Sequence, residues 1–381
     1  MSNYYFSAPG RTELGGNHTD HQHGCVLAAA VDLETKAEVE ERPDNIIRVE
    51  SNGFDPCELT IGDWAKRPEE EGTTAALVRG VAAGFAELMR MDEALSEGSD
   101  AAAFRGLDIK VSSTVLPGSG LSSSAAFEVL LGRIFNALFY EGKASPEQIA
   151  IIAQKAENDY FGKPCGLMDQ MASSVGGVVY MDFKDPSDPL IEKIDFDFEE
   201  YNLAVCIIDS GAGHEDLTAE YAAIPAEMKA VAGYFGKDVL REVEEAEFYK
   251  NISEVRKACG DRAAMRAMHY FAETRRAANE ASALEELDVS KFLALVNESG
   301  RSSDMLLQNI IPGGAKEHQE LAFALGYVRH ILREAGACRV HGGGFAGTIQ
   351  AIVPLWLLPR FKAQVESVLG EGSCHVLKIR A

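Results

Sequence analysis

Pro117-Gly118-Ser119-Gly120-Leu121-Ser122-Ser123-Ser124-Ala125-Ala126 joins a strand-like run to an apolar helical run. Before it, Leu107 to Val115 alternates through Ile109, Val111 and Ser113; after it, Ala125, Val129, Leu130, Ile134 and Leu138 fall on one helical face. A glycine-serine loop feeding a helix start offers unpaired backbone N–H groups at the positive end of a helix dipole, which suits a phosphate chain. No Gly-Lys-Ser/Thr closes the loop as in a Walker sequence, and the third glycine of a dinucleotide turn falls on Ser123. The reading is a phosphate-binding loop in which Gly118, Ser119, Gly120, Leu121, Ser122, Ser123, Ser124 and Ala125 surround the ligand.

With 381 residues the chain has room for two domains. The net charge of −23 argues against nucleic acid and anionic membranes as partners. It does not argue against a nucleotide, because a local nest of N–H groups with Mg²⁺ overcomes a distant, screened field. Seven cysteines form no Cys-x-x-Cys, which fits idle thiols in a reducing compartment. Met1 to Phe6 has no basic flank, and no apolar run approaches the ~20 residues of a membrane helix. The expectation is a soluble, cytoplasmic protein.

Along the chain, Val26 to Val31 and Lys36 to Glu41 read as strands around a turn, followed by strands at Ile46 to Glu50 and Cys57 to Ile61. Thr74 to Met89 and Pro146 to Ala156 read as helices, Glu93 to Ala103 as a loop or frayed helix, and Val175 to Met181 as a strand. The Asp- and Pro-rich stretch Phe183 to Leu190 looks like a domain connection, giving domains at 1–182 and 183–381. Leu203 to Asp209 reads as a buried strand, Ala219 to Leu307 as almost wholly helical, and Cys338 to Val340 with Gly347 to Val353 as paired strands. Two groups of mixed elements without βαβ regularity predict an α+β fold.

Three further segments are dense in chemistry. Glu13 to Gly24, Glu-Leu-Gly-Gly-Asn-His-Thr-Asp-His-Gln-His-Gly, supports two readings. His18, Asp20, His21 and His23 are possible metal ligands, although no His-Glu-x-x-His partner occurs. Alternatively, Asn17, His18 and Asp20 form a hydrogen-bonding comb for a polyhydroxylated substrate, with glycines admitting the backbone. A polar loop with caps is the plain alternative. In the second segment, Glu157 to Gln170, Pro164 and Gly166 end one helix and Asp169 opens the next. A lone carboxylate there is often only a cap. Paired with Glu157, one acid suits Mg²⁺ and the other a hydroxyl proton. Third, His341 to Gly347 is a glycine-rich turn, by itself weak evidence for close backbone approach.

Taken together, Gly10-Arg11 with His18-Thr19-Asp20, Pro117 to Ala126, Pro164 to Gln170 and Gly342 to Gly347 resemble the galactokinase branch of the GHMP small-molecule kinases over nearly the whole chain. The resemblance implies a two-domain GHMP kinase fold with the active site in the cleft between domains. It implies ATP as co-substrate, with Ser124 and Glu157 holding Mg²⁺. Asp169 matches the family's catalytic aspartate, Arg11 its charge-stabilising arginine, and Tyr221 a tyrosine that contacts the sugar. Asn17, His18, Asp20 and the backbone near Gly166 would grip sugar hydroxyls. The implied reaction is phosphorylation of a sugar at its anomeric hydroxyl, galactose first.

The chain also departs from the family. The usual run Asn-Leu-Ile-Gly-Glu-His-Thr-Asp-Tyr carries Glu13, Gly15, Asn17 and His21 in place of Asn, Ile, Glu and Tyr. Ala346 replaces a glycine, and a tryptophan common in the family near the nucleotide is missing around Thr74. The His-x-Asp-His-Gln run is similar to galacturonokinases, so a hexuronic acid is the second substrate reading and N-acetylgalactosamine a third. Other classes are a catalytically silent sugar sensor, disfavoured by intact Ser122 to Ala126 and Asp169, and a metal hydrolase built on the histidines.

Overall fold

The computed structural model describes residues 3–95, 104–115, 120–213 and 217–380. Gly118, Ser119 and most of the segment read as loop or frayed helix lie outside the described residues. The chain divides into two compact units that do not follow a single cut in sequence. The first holds residues 1–11, 30–117 and 121–176; the second holds 12–29, 118–120 and 177–381.

Two long strands, β1 (Asn3–Gly15) and β2 (Cys25–Arg42), pass from one unit into the other. Within the first unit, β3 (Ile46–Ser51) pairs antiparallel with β4 (Cys57–Thr60), and α1 (Thr74–Leu95) follows. Strand β5 (Gly106–Ser113) lies parallel to β3 and antiparallel to residues 35–42 of β2. Then come α2 (Ser123–Phe139), α3 (Pro146–Lys155) and α4 (Met168–Val175). Helix α2 buries Val129, Leu130, Ile134, Phe135 and Phe139 against α1 and the sheet. Each contributes about 1.5–3 kcal/mol of burial, which fixes the helix whose start carries the serine loop. Ser145 caps α3 in a reciprocal capping box with Gln148.

β2 is one strand where the sequence predicts two around a turn. Its middle carries Asp32 and Glu34 among apolar neighbours, which mimics a turn composition. The backbone nonetheless stays extended, because Glu34 exchanges bonds with Thr114 just beyond β5: Thr114 N donates to Glu34 O at 2.9 Å and Glu34 N donates to Thr114 Oγ1 at 2.9 Å.

In the second unit, β6 (Val178–Asp182) pairs antiparallel with residues 25–29 of β2 and with β7 (Leu190–Ile194). Strand β8 (Leu203–Asp209) precedes the helices α5 (Thr218–Tyr234), α6 (Glu245–Lys250), α7 (Ile252–Cys259), α8 (Asp261–Glu285), α9 (Val289–Ser302) and α10 (Glu320–Leu332). The chain closes with β9 (Ala337–Val340), β10 (Thr348–Pro354), α11 (Leu358–Leu369) and β11 (Cys374–Leu377). The last sheet runs β11-β8-β10-β9, all antiparallel pairs. Buried alanines and aromatics of α8, including Ala264, Ala267, Tyr270 and Phe271, let α5 and α7 pack closely on it. Among the described residues, no helix is long and apolar enough to cross a membrane.

Candidate active-site residues

In the first unit, the serine loop, β1 and the start of α4 meet around two carboxylates. Arg11 is buried, and its backbone N donates to Leu121 O at 3.0 Å, which ties strand β1 to the loop. Its Nε donates to Asp169 Oδ1 at 2.7 Å. Asp169 is the second residue of α4, where the helix dipole favours a negative charge. Its other oxygen, Oδ2, accepts from Ser122 Oγ at 2.6 Å. Burial alone would push this carboxyl up; the charge of Arg11 and the bonds from Arg11 and Ser122 outweigh it, so the group lies below its ordinary range.

The second carboxylate, Glu157, is only 3% exposed and sits on a wide helical turn, 156–161, that extends α3. Ser124 Oγ donates to Glu157 Oε1 at 3.3 Å, and Lys163 Nζ reaches the same oxygen at 3.0 Å. Gln170 Nε2 bridges Glu157 Oε2 at 2.8 Å and Glu128 Oε2 at 3.0 Å. Glu128 is fully buried; burial first, and the neighbouring Glu157 charge second, push it well above the carboxylate range. Lys163, Gln170 and Glu128 are contributors that the sequence reading missed. One signal was available, since Glu128 stands four residues after Ser124 and so on the same helix face.

The hard oxygen pair of Ser124 and Glu157 fits Mg²⁺, which takes few protein ligands and keeps water and phosphate oxygens as the rest. The Lys163 ammonium, itself largely exposed, pairs with Glu157 Oε1 at the rim of this corner. Gly166 lies in the loop before α4, partly exposed; Cys165 N, its neighbour, donates to Asn158 Oδ1 at 2.7 Å.

In the second unit, the polar loop after β1 converges with the glycine turn 342–344 and α5. Asn17, 1% exposed, has every side-chain atom engaged: Nδ2 donates to Gly342 O at 2.8 Å and Glu13 Oε1 at 3.2 Å. Its Oδ1 accepts from Asn309 Nδ2 at 3.0 Å and Ser303 Oγ at 3.3 Å. The Asn17 side chain is therefore a tie within the loop's support. His18, at a left-handed φ of 58°, donates Nε2–H to Gly343 O at 3.0 Å. Tyr221 OH donates to Gly344 O at 2.9 Å, and a Cβ on Gly343 would come within 2.7 Å of the Tyr221 ring, so that position must be glycine. Asp20 opens a short helical turn, Asp20–Gln22, and is partly exposed.

Beneath this loop, Glu13 and Arg339 form a buried ion pair, and Arg339 also donates to Leu14 O at 2.9 Å. Glu280 is buried against Gly15, where an added Cβ would stand 1.6 Å from its Oε2. Gly15 replaces the family's Ile, and the acid on α8 occupies that space. Burial first, and the charge of Glu273 second, push Glu280 well above the carboxylate range.

The rings of His18 and His21 meet edge to face with centroids 5.6 Å apart. Burial lowers His18 to about 4 and His21 to about 3, so both are neutral near pH 7. Among the described residues, no group of three or more His, Cys, Asp or Glu is arranged to hold a metal ion.

Residues 76–177 match the model for the GHMP kinases N terminal domain, and residues 2–40 match the galactokinase galactose-binding signature. The chain is 30% identical over 350 residues to a galactokinase of Mannheimia succiniciproducens, covering 91% of this chain and 84% of that one. It is 31% identical to a galactokinase of Actinobacillus succinogenes over 348 residues, with the same coverage. Its fold matches a Lactococcus lactis galactokinase solved with galactose at a TM-score of 0.78 and 23% identity, covering 100% of this chain and 94% of that one. The α+β fold is thus that of the GHMP kinases, and the chain belongs to the galactokinase family.

Proposed function

We propose that the protein transfers the γ-phosphoryl group of ATP to the anomeric C1 hydroxyl of galactose, giving α-D-galactose 1-phosphate. The observation that carries the reading is the Arg11–Asp169 pair at 2.7 Å beside the serine loop. A carboxylate held below its usual range is a weak base. That suffices for phosphoryl transfer, in which the bond to the leaving phosphate is largely broken before the nucleophile's proton must go. Asp169 orients the sugar hydroxyl and takes its proton, and the Arg11 guanidinium offsets charge on the alkoxide and the transferring group. Ser124 and Glu157 would hold Mg²⁺, which supplies charge neutralisation of the phosphates when bound. His18, Asp20 and Tyr221 are assigned to the sugar side. Asn17 is assigned there as well, acting through the loop it ties down.

Galactose is favoured over galacturonate because the polar loop Glu13 to Gly24 holds no arginine or lysine to pair a carboxylate at C6. None of the seven cysteines is in a disulfide, which fits the cytoplasmic location that this reading carries. ADP release with ATP and Mg²⁺ against galactose, galacturonate, N-acetylgalactosamine, glucose and arabinose tests the reading. Dominant turnover of galactose supports it. Dominant turnover of galacturonate transfers the assignment to a uronic acid kinase, and no turnover with any sugar returns the sensor reading.

A further inference from the structure

The three serines of the loop look interchangeable in sequence, yet two of their hydroxyls serve different carboxylates. Ser124 Oγ donates to Glu157, whereas Ser122 Oγ donates to Asp169. Ser122 stands at the N-cap of α2, where a serine ordinarily turns its hydroxyl back onto the N–H two or three residues on. It makes no such cap bond. Its backbone is instead left-handed, φ 56° and ψ 66°, a region that a residue with a Cβ enters only when its surroundings impose it. The strained backbone and the forgone cap accompany one contact, the 2.6 Å bond to Asp169 Oδ2.

An ionised carboxylate only accepts, so the Ser122 hydroxyl is the donor. Arg11 Nε holds Oδ1. With that single anchor the carboxylate could still swing about its terminal torsion, which is broad for aspartate. A second donor on the second oxygen removes that freedom and leaves each oxygen one further lone pair in a fixed direction. We propose that Ser122 is a positioning residue for Asp169, fixing the carboxylate plane so that a free lone pair meets the sugar hydroxyl. The proposal rests on the reading of Asp169 as the proton acceptor. It also separates Ser122 from direct phosphate binding through its side chain: the loop contributes N–H groups to phosphate, and this hydroxyl goes to the base.

The experiment compares Ser122→Gly, Ser122→Ala and Asp169→Asn by steady-state kinetics across pH. Ser122→Gly removes the CH2OH group but keeps the left-handed backbone at no strain, whereas Ser122→Ala removes the hydroxyl alone and keeps the strain. The expected result is a kcat loss on the order of 10–100-fold in Ser122→Gly, the scale of a misplaced reacting group. KM for ATP stays nearly constant, and the acidic limb of the kcat/KM profile moves to higher pH, because the carboxylate has lost a bond that favours its charged form. Ser122→Gly with unaltered kcat and pH profile would overturn the proposal. So would a loss expressed as raised KM for ATP with no pH shift, which would make the serine a phosphate ligand or loop support. Near-normal turnover in Asp169→Asn would instead remove the underlying reading of the base, whatever Ser122 does.

Discussion

The carboxylates around the serine loop and the network under the polar loop are built on opposite principles. In the first unit, Asp169 and Glu157 each face a cation, Arg11 or Lys163, and the side chain of Asp169 stays 29% exposed. In the second unit, Asn17, Glu13, Arg339 and Glu280 are sealed from solvent, and backbone carbonyls of Leu14, Gly342 and Gly343 receive many of the bonds. One region keeps charge where a reactant can reach it, and the other spends polar groups on shape. Substitutions should therefore separate chemistry from stability along the same line.

The largest expected effect is on chemistry. Asp169→Asn should lower kcat by about 10²–10⁴-fold, the usual worth of a positioned proton acceptor, while ATP still binds. Stopped-flow or coupled ADP assays alongside nucleotide titration check it, and a matching loss of folding stability would erase the contrast between the regions. On the other side, Arg339→Met leaves Glu13 buried without its cation. It should cost ~3–5 kcal/mol in denaturant unfolding, because the stranded charge keeps its desolvation penalty. A smaller loss is expected from Gly15→Ala, about 1–3 kcal/mol, as the new Cβ collides with Glu280. The double variant Gly15→Ala with Glu280→Ala should recover much of it, and simple additivity in that cycle would show that the two sites do not touch.

A separate effect is a pH dependence. His18 and His21 are held neutral at about 4 and about 3 in the fold, against 6.5 in the unfolded chain. Below pH 6.5 the unfolded chain binds protons that the folded chain refuses. Their contribution to stability is therefore present above pH 6.5 and declines as pH falls from there toward 4. Urea midpoints at pH 7.5 and 5 should show this drop, and His18→Gln with His21→Gln should flatten it.

The sequence was most readable where chemistry and local geometry coincide. The strand-loop-helix around Ser122 and the helix start at Asp169 follow from glycine, serine and proline placement alone. The long helical stretch after residue 217 follows from periodicity. Its break at Pro312 is likewise a local signal, whereas the break at Gly260 between α7 and α8 went unread. Hidden from that reading were the long-range partners: Glu280 filling the space at Gly15, Asn309 holding Asn17, and Gln170 bridging two acids. None carries a local signature, because a buried polar side chain is set by what the fold brings to it. The turn expected within β2 failed for the same reason, since Thr114 supplied the partner that kept Glu34 extended.

The most direct measurement is ³¹P NMR of the product formed by the wild-type protein from ATP, Mg²⁺ and galactose. The account predicts a single sugar phosphate, α-D-galactose 1-phosphate, accumulating in step with ADP. Phosphate on another hydroxyl, or bound ATP with no transfer to galactose, would contradict it.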